Sequence, residues 1–276
     1  MTIRSRTAAV FEVILVRLVI LAAVFAVFAS PAGSWQQQNL GHTFSTHILY
    51  ILVPVAWLLA LRRPLSGYGI TLRNFKADGM AALSCFFPVA MAGASLGFVP
   101  YTTWYGALIE VAIYTAALFF VARFLTKKPD PQSGVVTIAL MVLVFGGISI
   151  WKSMFPGVSR AFSSFVYYLL VGFGEEILYR GYILSRLNQV FARPHQFYGV
   201  SWGWGVIITS ILFGLSHVLN GLDLTAGTFD PQWGWGLWTI FSGLVFSYIR
   251  EKTGSIVAPA IVHGLPQALV YLFIQF

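Results

Sequence analysis

The chain has 276 residues, 58% of them apolar and only 9% charged, with a mean hydropathy of +0.78. A soluble domain carries roughly a quarter charged residues, so no water-facing surface can be built from this composition, and abundant apolar residues exclude disorder. The formal charge of +8 comes from 17 Lys and Arg scattered between apolar runs, not gathered on one face or tail as nucleic-acid binding needs.

Nine stretches are apolar enough to cross a hydrocarbon core of about 30 Å, which takes about 20 helical residues. They are residues 12–29, 47–61, 81–99, 104–122, 135–151, 161–184, 201–219, 233–249 and 255–276. The second is short and draws on His42–Thr46. Arg4, Arg6, an apolar core and Phe28-Ala29-Ser30-Pro31 resemble a signal peptide. Glu12 and Arg17 interrupt that core and eight further spans follow, so an uncleaved first helix is expected. Cys85 is the only cysteine, which excludes a disulfide framework. The expected fold is an all-α polytopic membrane bundle of about nine transmembrane helices, with eight as the near alternative. It forms a single integral membrane domain over 1–276. Residues 1–155 supply N-terminal helices without recognisable motifs, and 160–276 hold the remaining spans.

Loop charge orients the bundle. With the N-terminus in the cytoplasm, the inner segments hold Arg4, Arg6, Arg62, Arg63, Arg73, Lys76, Arg123, Lys127, Lys128, Arg186, Arg193, Arg250 and Lys252. Outer loops hold only Lys152 and Arg160, and Arg17 and Arg180 lie within spans. Cytoplasmic loops carry such an excess of Lys and Arg, so the N-terminus is expected inside and the C-terminus outside, in the plasma membrane.

Ionisable residues at bilayer depth are functional candidates by default. Glu110 reads as a protonated or interhelically bonded carboxyl, and Arg17 as a side chain that snorkels to the interface. His42, His47 and His195 sit near span ends or in a loop and need no special role. The later spans differ. Gly174-Glu175-Glu176-Ile177-Leu178-Tyr179-Arg180-Gly181 puts two carboxylates and an arginine in one span. Glu176 and Arg180 are i,i+4 neighbours that can pair, whereas Glu175 is turned about 100° away and is not consumed by that pair. Phe213 and His217 share a face of the next span, and His263 and Gln267 share a face of the last, where Pro259 and Pro266 can open the helix. Glycines 172, 174, 181, 214 and 264 allow close helix approach, so the three motifs point to one buried polar chamber.

The order E-E-x-x-x-R, F-x-x-x-H, H-x-x-x-N/D resembles the CAAX-processing and bacteriocin-processing (CPBP) intramembrane endopeptidases, the group containing the Ras-converting CAAX protease. Here it reads Glu175-Glu176…Arg180, Phe213…His217 and His263…Gln267. Position 267 departs from the pattern, carrying Gln where the family has Asn or Asp. The resemblance covers about 160–276 and implies a catalytic core there, with Glu175, His217, His263 and Gln267 catalytic. Glu176, Arg180, Phe213 and Tyr179 take supporting roles, and a membrane-anchored protein or peptide is the substrate.

The chemistry of these residue types agrees. Glu175 in an apolar surround suits a general base, His217 suits a group that holds the water or shares its proton, and His263 with Gln267 suits an oxyanion hole. No cofactor is expected. The competing arrangement is zinc held by Glu175, His217 and His263, although H-E-x-x-H is absent. A proton-coupled transporter would also place Glu, Arg and His at mid-membrane, but no internal repeat is visible. A non-catalytic immunity or scaffold protein would tolerate loss of Glu175. The expected partners are the substrate and the lipid bilayer, not nucleic acid.

Overall fold

The computed structural model describes residues 3–127, 130–153, 156–223 and 227–274; Lys128, counted above among the inner basic residues, lies outside them, as do the last two residues of the ninth span. The helices in chain order are α1 Ile3–Phe28, α2 Pro31–Leu40, α3 Phe44–Ala60, α4 Phe75–Ser95, α5 Trp104–Thr126, α6 Gln132–Lys152, α7 Val158–Glu176, α8 Leu184–Asn188, α9 Trp204–Val218, α10 Trp233–Thr253 and α11 Val257–Phe273. A π-helical stretch, Ile177–Ile183, joins α7 to α8 in one rod of 31 residues. Every expected span holds a helix, and the chain is an all-α membrane bundle. Among the described residues six helices are long and apolar enough to cross a membrane: α1, α4, α5, α6, the α7–α8 rod and α9 with its terminal turn. Two more, α3 and α11, are apolar but shorter.

Hydropathy gives no sign of helix α2, because Gln36, Gln37, Gln38 and Asn39 make it polar. Its signals are local. Pro31 occupies the first turn and Gly41 closes the end in the left-handed conformation, φ 73°, the usual asymmetry of helix ends. Pro259 and Pro266 do not open α11, which runs unbroken from Val257 to Phe273. Pro259 falls in the first turn, where its missing N–H costs no bond. The irregularity lies instead in the π stretch directly after Glu176, a feature frequent at functional sites.

Contacts sort the loops by bundle end. At one end Arg6 donates to the Val190 carbonyl (3.4 Å), Ile256 N to Gly69 O (3.0 Å), and Arg193 pairs with Glu251 (2.8 Å). Glu12 is a hub at the same end, taking hydrogen bonds from Arg63, Arg186, Trp57 and Tyr182. At the other end Ser163 donates to Leu40 O at 2.7 Å, and His42 lies 2.9 Å from Ser164. The basic loops 62–74, 185–194 and 250–252 thus gather with the N-terminus, as alternating crossings require.

Helices in lipid associate by close packing, with small residues at the contacts. A Cβ on Gly172 would stand 2.5 Å from the Ala260 carbonyl oxygen, and one on Gly264 would stand 2.5 Å from that of Tyr168. These two glycines let α7 and α11 touch backbone to backbone. Gly214 does the same for α9 against α10, where a Cβ would meet Gly236 O at 2.5 Å. Gly181 is looser, its nearest neighbour being Ile70 Cγ1 at 3.3 Å.

Candidate active site

Three runs of helix of equal residue length carry Glu175, His217 and His47 inward from the end that holds the basic loops. The run from Glu175 to Asn188, where α8 ends, matches the run from Trp204, which opens α9, to His217. The run from His47 to Ala60, where α3 ends, is the same again. Each spans about 20 Å at about 1.5 Å per residue, measured from the end that carries the basic loops. A hairpin, β1 His195–Phe197 with β2 Val200–Trp202, precedes α9, so the helix starts later than the apolar run and its last turn reaches the chamber.

Glu176 and Arg180 form the floor. Both side chains are fully buried, and Arg180 Nη1 donates to Glu176 Oε1 at 2.9 Å. Arg180 Nη2 donates to the Gly243 carbonyl at 3.0 Å, and the guanidinium lies 4.4 Å from the Phe213 ring centroid and 5.4 Å from that of Phe246. Tyr179, also fully buried, packs edge-on to Phe213 at 4.9 Å. The pair expected from sequence is therefore present, and it leaves Glu175 free.

Glu175 faces two imidazoles. His263 Nε2 is 3.6 Å from its Oε2, and His47 Nε2 is 3.7 Å from its Oε1. Both separations exceed a direct hydrogen bond and suit a bridging water. The glutamate and His263 side chains are each 12% exposed, so water can reach them. His263 is fixed on its other side, Nδ1 lying 3.0 Å from Glu176 Oε1, and its ring stacks on Phe246 at 4.4 Å. His217 Nδ1 lies 2.8 Å from the Phe213 carbonyl oxygen. An ionised carboxylate and a carbonyl only accept, so Nδ1 carries the hydrogen in both rings. In the neutral ring Nε2 is then the bare nitrogen of each.

Gln267, one turn beyond His263, is exposed and makes no side-chain hydrogen bond to the described residues. Among the remaining intramembrane groups, Glu110 is buried, and both its carboxyl oxygens lie 2.8 Å from the Ser95 hydroxyl on α4. That is the interhelical bonding expected of it. Arg17 does not snorkel to the interface. Its guanidinium lies over the rings of Tyr179 (5.2 Å) and Tyr50 (5.9 Å), beside a groove of about 180 Å³ between α1 and α9. Cation–π attraction holds it more cheaply than a stretch to water. His47, read from sequence as a bland helix-end residue, belongs to the cluster. It lies far from Glu175 along the chain and so gives no local signal; only the tertiary contact of α3 with α7 reveals it.

The residues 157–269 match the family described as Type II CAAX prenyl endopeptidase Rce1-like. This segment is similar to the CAAX-protease family. Neither the curated proteins nor the solved structures contain a match to the chain. The CAAX-protease segment holds Glu175, Glu176, Arg180, Phe213, His217, His263 and Gln267, whereas Glu12, Arg17 and His47 come from helices ahead of it. At this coarse level the chain is an integral membrane protein whose segment 157–269 is similar to CAAX-type intramembrane proteases. Among the described residues no group of three or more His, Cys, Asp or Glu is arranged to hold a metal ion.

Proposed function

We propose that the chain hydrolyses a peptide bond of a membrane-anchored protein or peptide, with a water activated by Glu175 as nucleophile and no cofactor. The observation that carries this reading is the Glu175 carboxylate, unpaired by Arg180 and faced by imidazole nitrogens at 3.6 and 3.7 Å. Glu175 takes a proton from the water as its oxygen attacks the carbonyl carbon. The bare Nε2 of His217 accepts the second hydrogen bond of that water and so aims it. His263 lies between Glu176 and Glu175, and its imidazolium form carries a hydrogen on both ring nitrogens. With a proton on Nε2, His263 donates to the tetrahedral oxyanion, and the Gln267 amide is the second donor once substrate covers it. The proton taken by Glu175 passes to the leaving amine as the C–N bond breaks. Glu176 and Arg180 hold His263 and the helix in register.

The thirteen basic residues of the inner segments support a cytoplasmic N-terminus and an outer C-terminus; residence in the plasma membrane is part of the same proposal. A prenylated CAAX peptide is the probe that the family description supplies. The test is turnover of that peptide by purified full-length protein after exhaustive chelation. An unchanged rate supports the glutamate mechanism. A rate lost on chelation and restored by zinc overturns it.

A further inference from the structure

We propose that His47, on α3 and outside the family segment, is a positioning residue of the catalytic centre: its Nε2–H holds the Oε1 side of the Glu175 carboxylate, leaving Oε2 to the attacking water and His263. The inference rests on the reading of Glu175 as the base.

Three observations carry it. The first is symmetry about the carboxylate, with His47 Nε2 at 3.7 Å from Oε1 and His263 Nε2 at 3.6 Å from Oε2. Catalytic hydrogen bonds are often long in a resting enzyme and tighten when substrate binds. The second is the tautomer. His217 and His263 each commit Nδ1–H to a carbonyl or carboxylate oxygen, whereas His47 Nδ1 is buried with no partner among the described residues. Nothing therefore holds the hydrogen on Nδ1, and the Nε2–H form, the one that can donate to Glu175, is free to form.

The third is how firmly His47 is held. It is buried, and its ring meets Tyr50 and Tyr167 edge-on at 5.5 and 5.3 Å. Its backbone rests on Gly174, where a Cβ would stand 2.8 Å from His47 O and 3.1 Å from His47 Cβ. The residue just ahead of the glutamate is thus a glycine whose missing side chain admits α3. A histidine that merely filled space between tyrosines would not need its ring nitrogen turned to a carboxylate, and an orienting partner of this kind fixes the geometry of the group it touches.

The experiment uses full-length protein in nanodiscs with a prenylated CAAX peptide. His47→Ala lowers kcat up to about 100-fold, the scale of loss when a catalytic group is misplaced by about 1 Å, with KM within about twofold and an unchanged thermal melt. His47→Gln, whose amide nitrogen reaches the place of Nε2, recovers most of kcat; His47→Asn, which reaches only the place of Nδ1, does not. Glu175→Gln run alongside separates the two failures. If Glu175→Gln is inactive while His47→Ala turns over at the wild-type rate, this inference falls and the glutamate reading stands. If Glu175→Gln is fully active, the glutamate reading falls and this inference falls with it. If the Gln and Asn variants are equally slow and both melt early, His47 only packs, and the inference is overturned. The infrared carboxylate band of Glu175, identified by difference against Glu175→Gln, gives a readout independent of turnover. It shifts in His47→Ala if the contact exists, and an unshifted band refutes it.

Discussion

Replacing Arg180 by methionine removes the guanidinium from the floor of the chamber while keeping much of its bulk. The structure shows what goes with it: the 2.9 Å bond to Glu176, the 3.0 Å bond to the Gly243 carbonyl, and the contacts with Phe213, Phe246 and Tyr179 at 4.4, 5.4 and 5.8 Å. Arg180 and Glu176 are both fully buried, so the carboxylate keeps only the His263 Nδ1–H contact at 3.0 Å against its buried charge. Breaking a buried pair from one side costs about 3–5 kcal/mol. The loss of cation–π attraction accounts for only about 0.5–2 kcal/mol, so the stranded charge dominates. Glu176→Leu with Arg180→Met removes both charges and should recover about 3–5 kcal/mol over the single variant, returning stability to near the wild-type level. Activity should not recover with it, because His263 Nδ1 loses the oxygen that holds it at 3.0 Å. Unfolding in mixed micelles with increasing SDS reads the stability, and peptide turnover reads the activity. If Arg180→Met unfolds with the wild type, or the double variant is no more stable than the single, the pair does not hold the floor and this reasoning fails.

Other consequences follow from packing, topology and pH. Gly264→Ala puts a methyl 2.5 Å from the Tyr168 carbonyl oxygen and should cost about 1–3 kcal/mol by forcing α11 off α7. Gly147→Ala, which meets nothing within 4 Å, should melt like the wild type. Cys85 is fully buried, so single reporter cysteines are read without background: Leu72→Cys and Gln196→Cys should label from the cytoplasmic side and Phe98→Cys from outside, and the opposite pattern inverts the topology. Burial lowers the pKa of His42, in the turn before α3, below its ordinary 6.5, so the folded protein favours the neutral ring and the unfolded chain binds the extra proton. The His42 contribution is therefore present above about pH 6.5 and declines as pH falls below it. His42→Phe, which keeps the stack on Tyr167 at 4.2 Å, should flatten that acid slope, and an unchanged slope would rule His42 out as its source.

The bundle was legible because lipid imposes a length and an apolar content on every crossing helix, and the Glu176–Arg180 pair because i,i+4 neighbours meet on any helix. Alternation of basic loops also matches the way the structure gathers Arg6, Arg63, Arg186 and Arg193 at one end. Other features depend on partners distant in sequence. His47 reaches Glu175 only through the α3–α7 contact at Gly174, and Arg17 stays inside because Tyr50 and Tyr179 offer it ring faces. Helix α2 is invisible to hydropathy because its signal is a proline start and a glycine stop. The π stretch after Glu176 carries no residue signature at all: Ile177–Ile183 reads as ordinary helix until its backbone is seen.

The central claim is that Glu175 activates the water that cleaves the substrate. Its most direct measurement is the turnover of a prenylated CAAX peptide by Glu175→Gln, beside a melt that shows the fold intact. Glutamine preserves shape and one oxygen but cannot take a proton. The account predicts a fall in kcat of about 10²–10⁴-fold, the share usually supplied by a general base, with KM little changed. Turnover within a fewfold of wild type by a folded Glu175→Gln protein would contradict it.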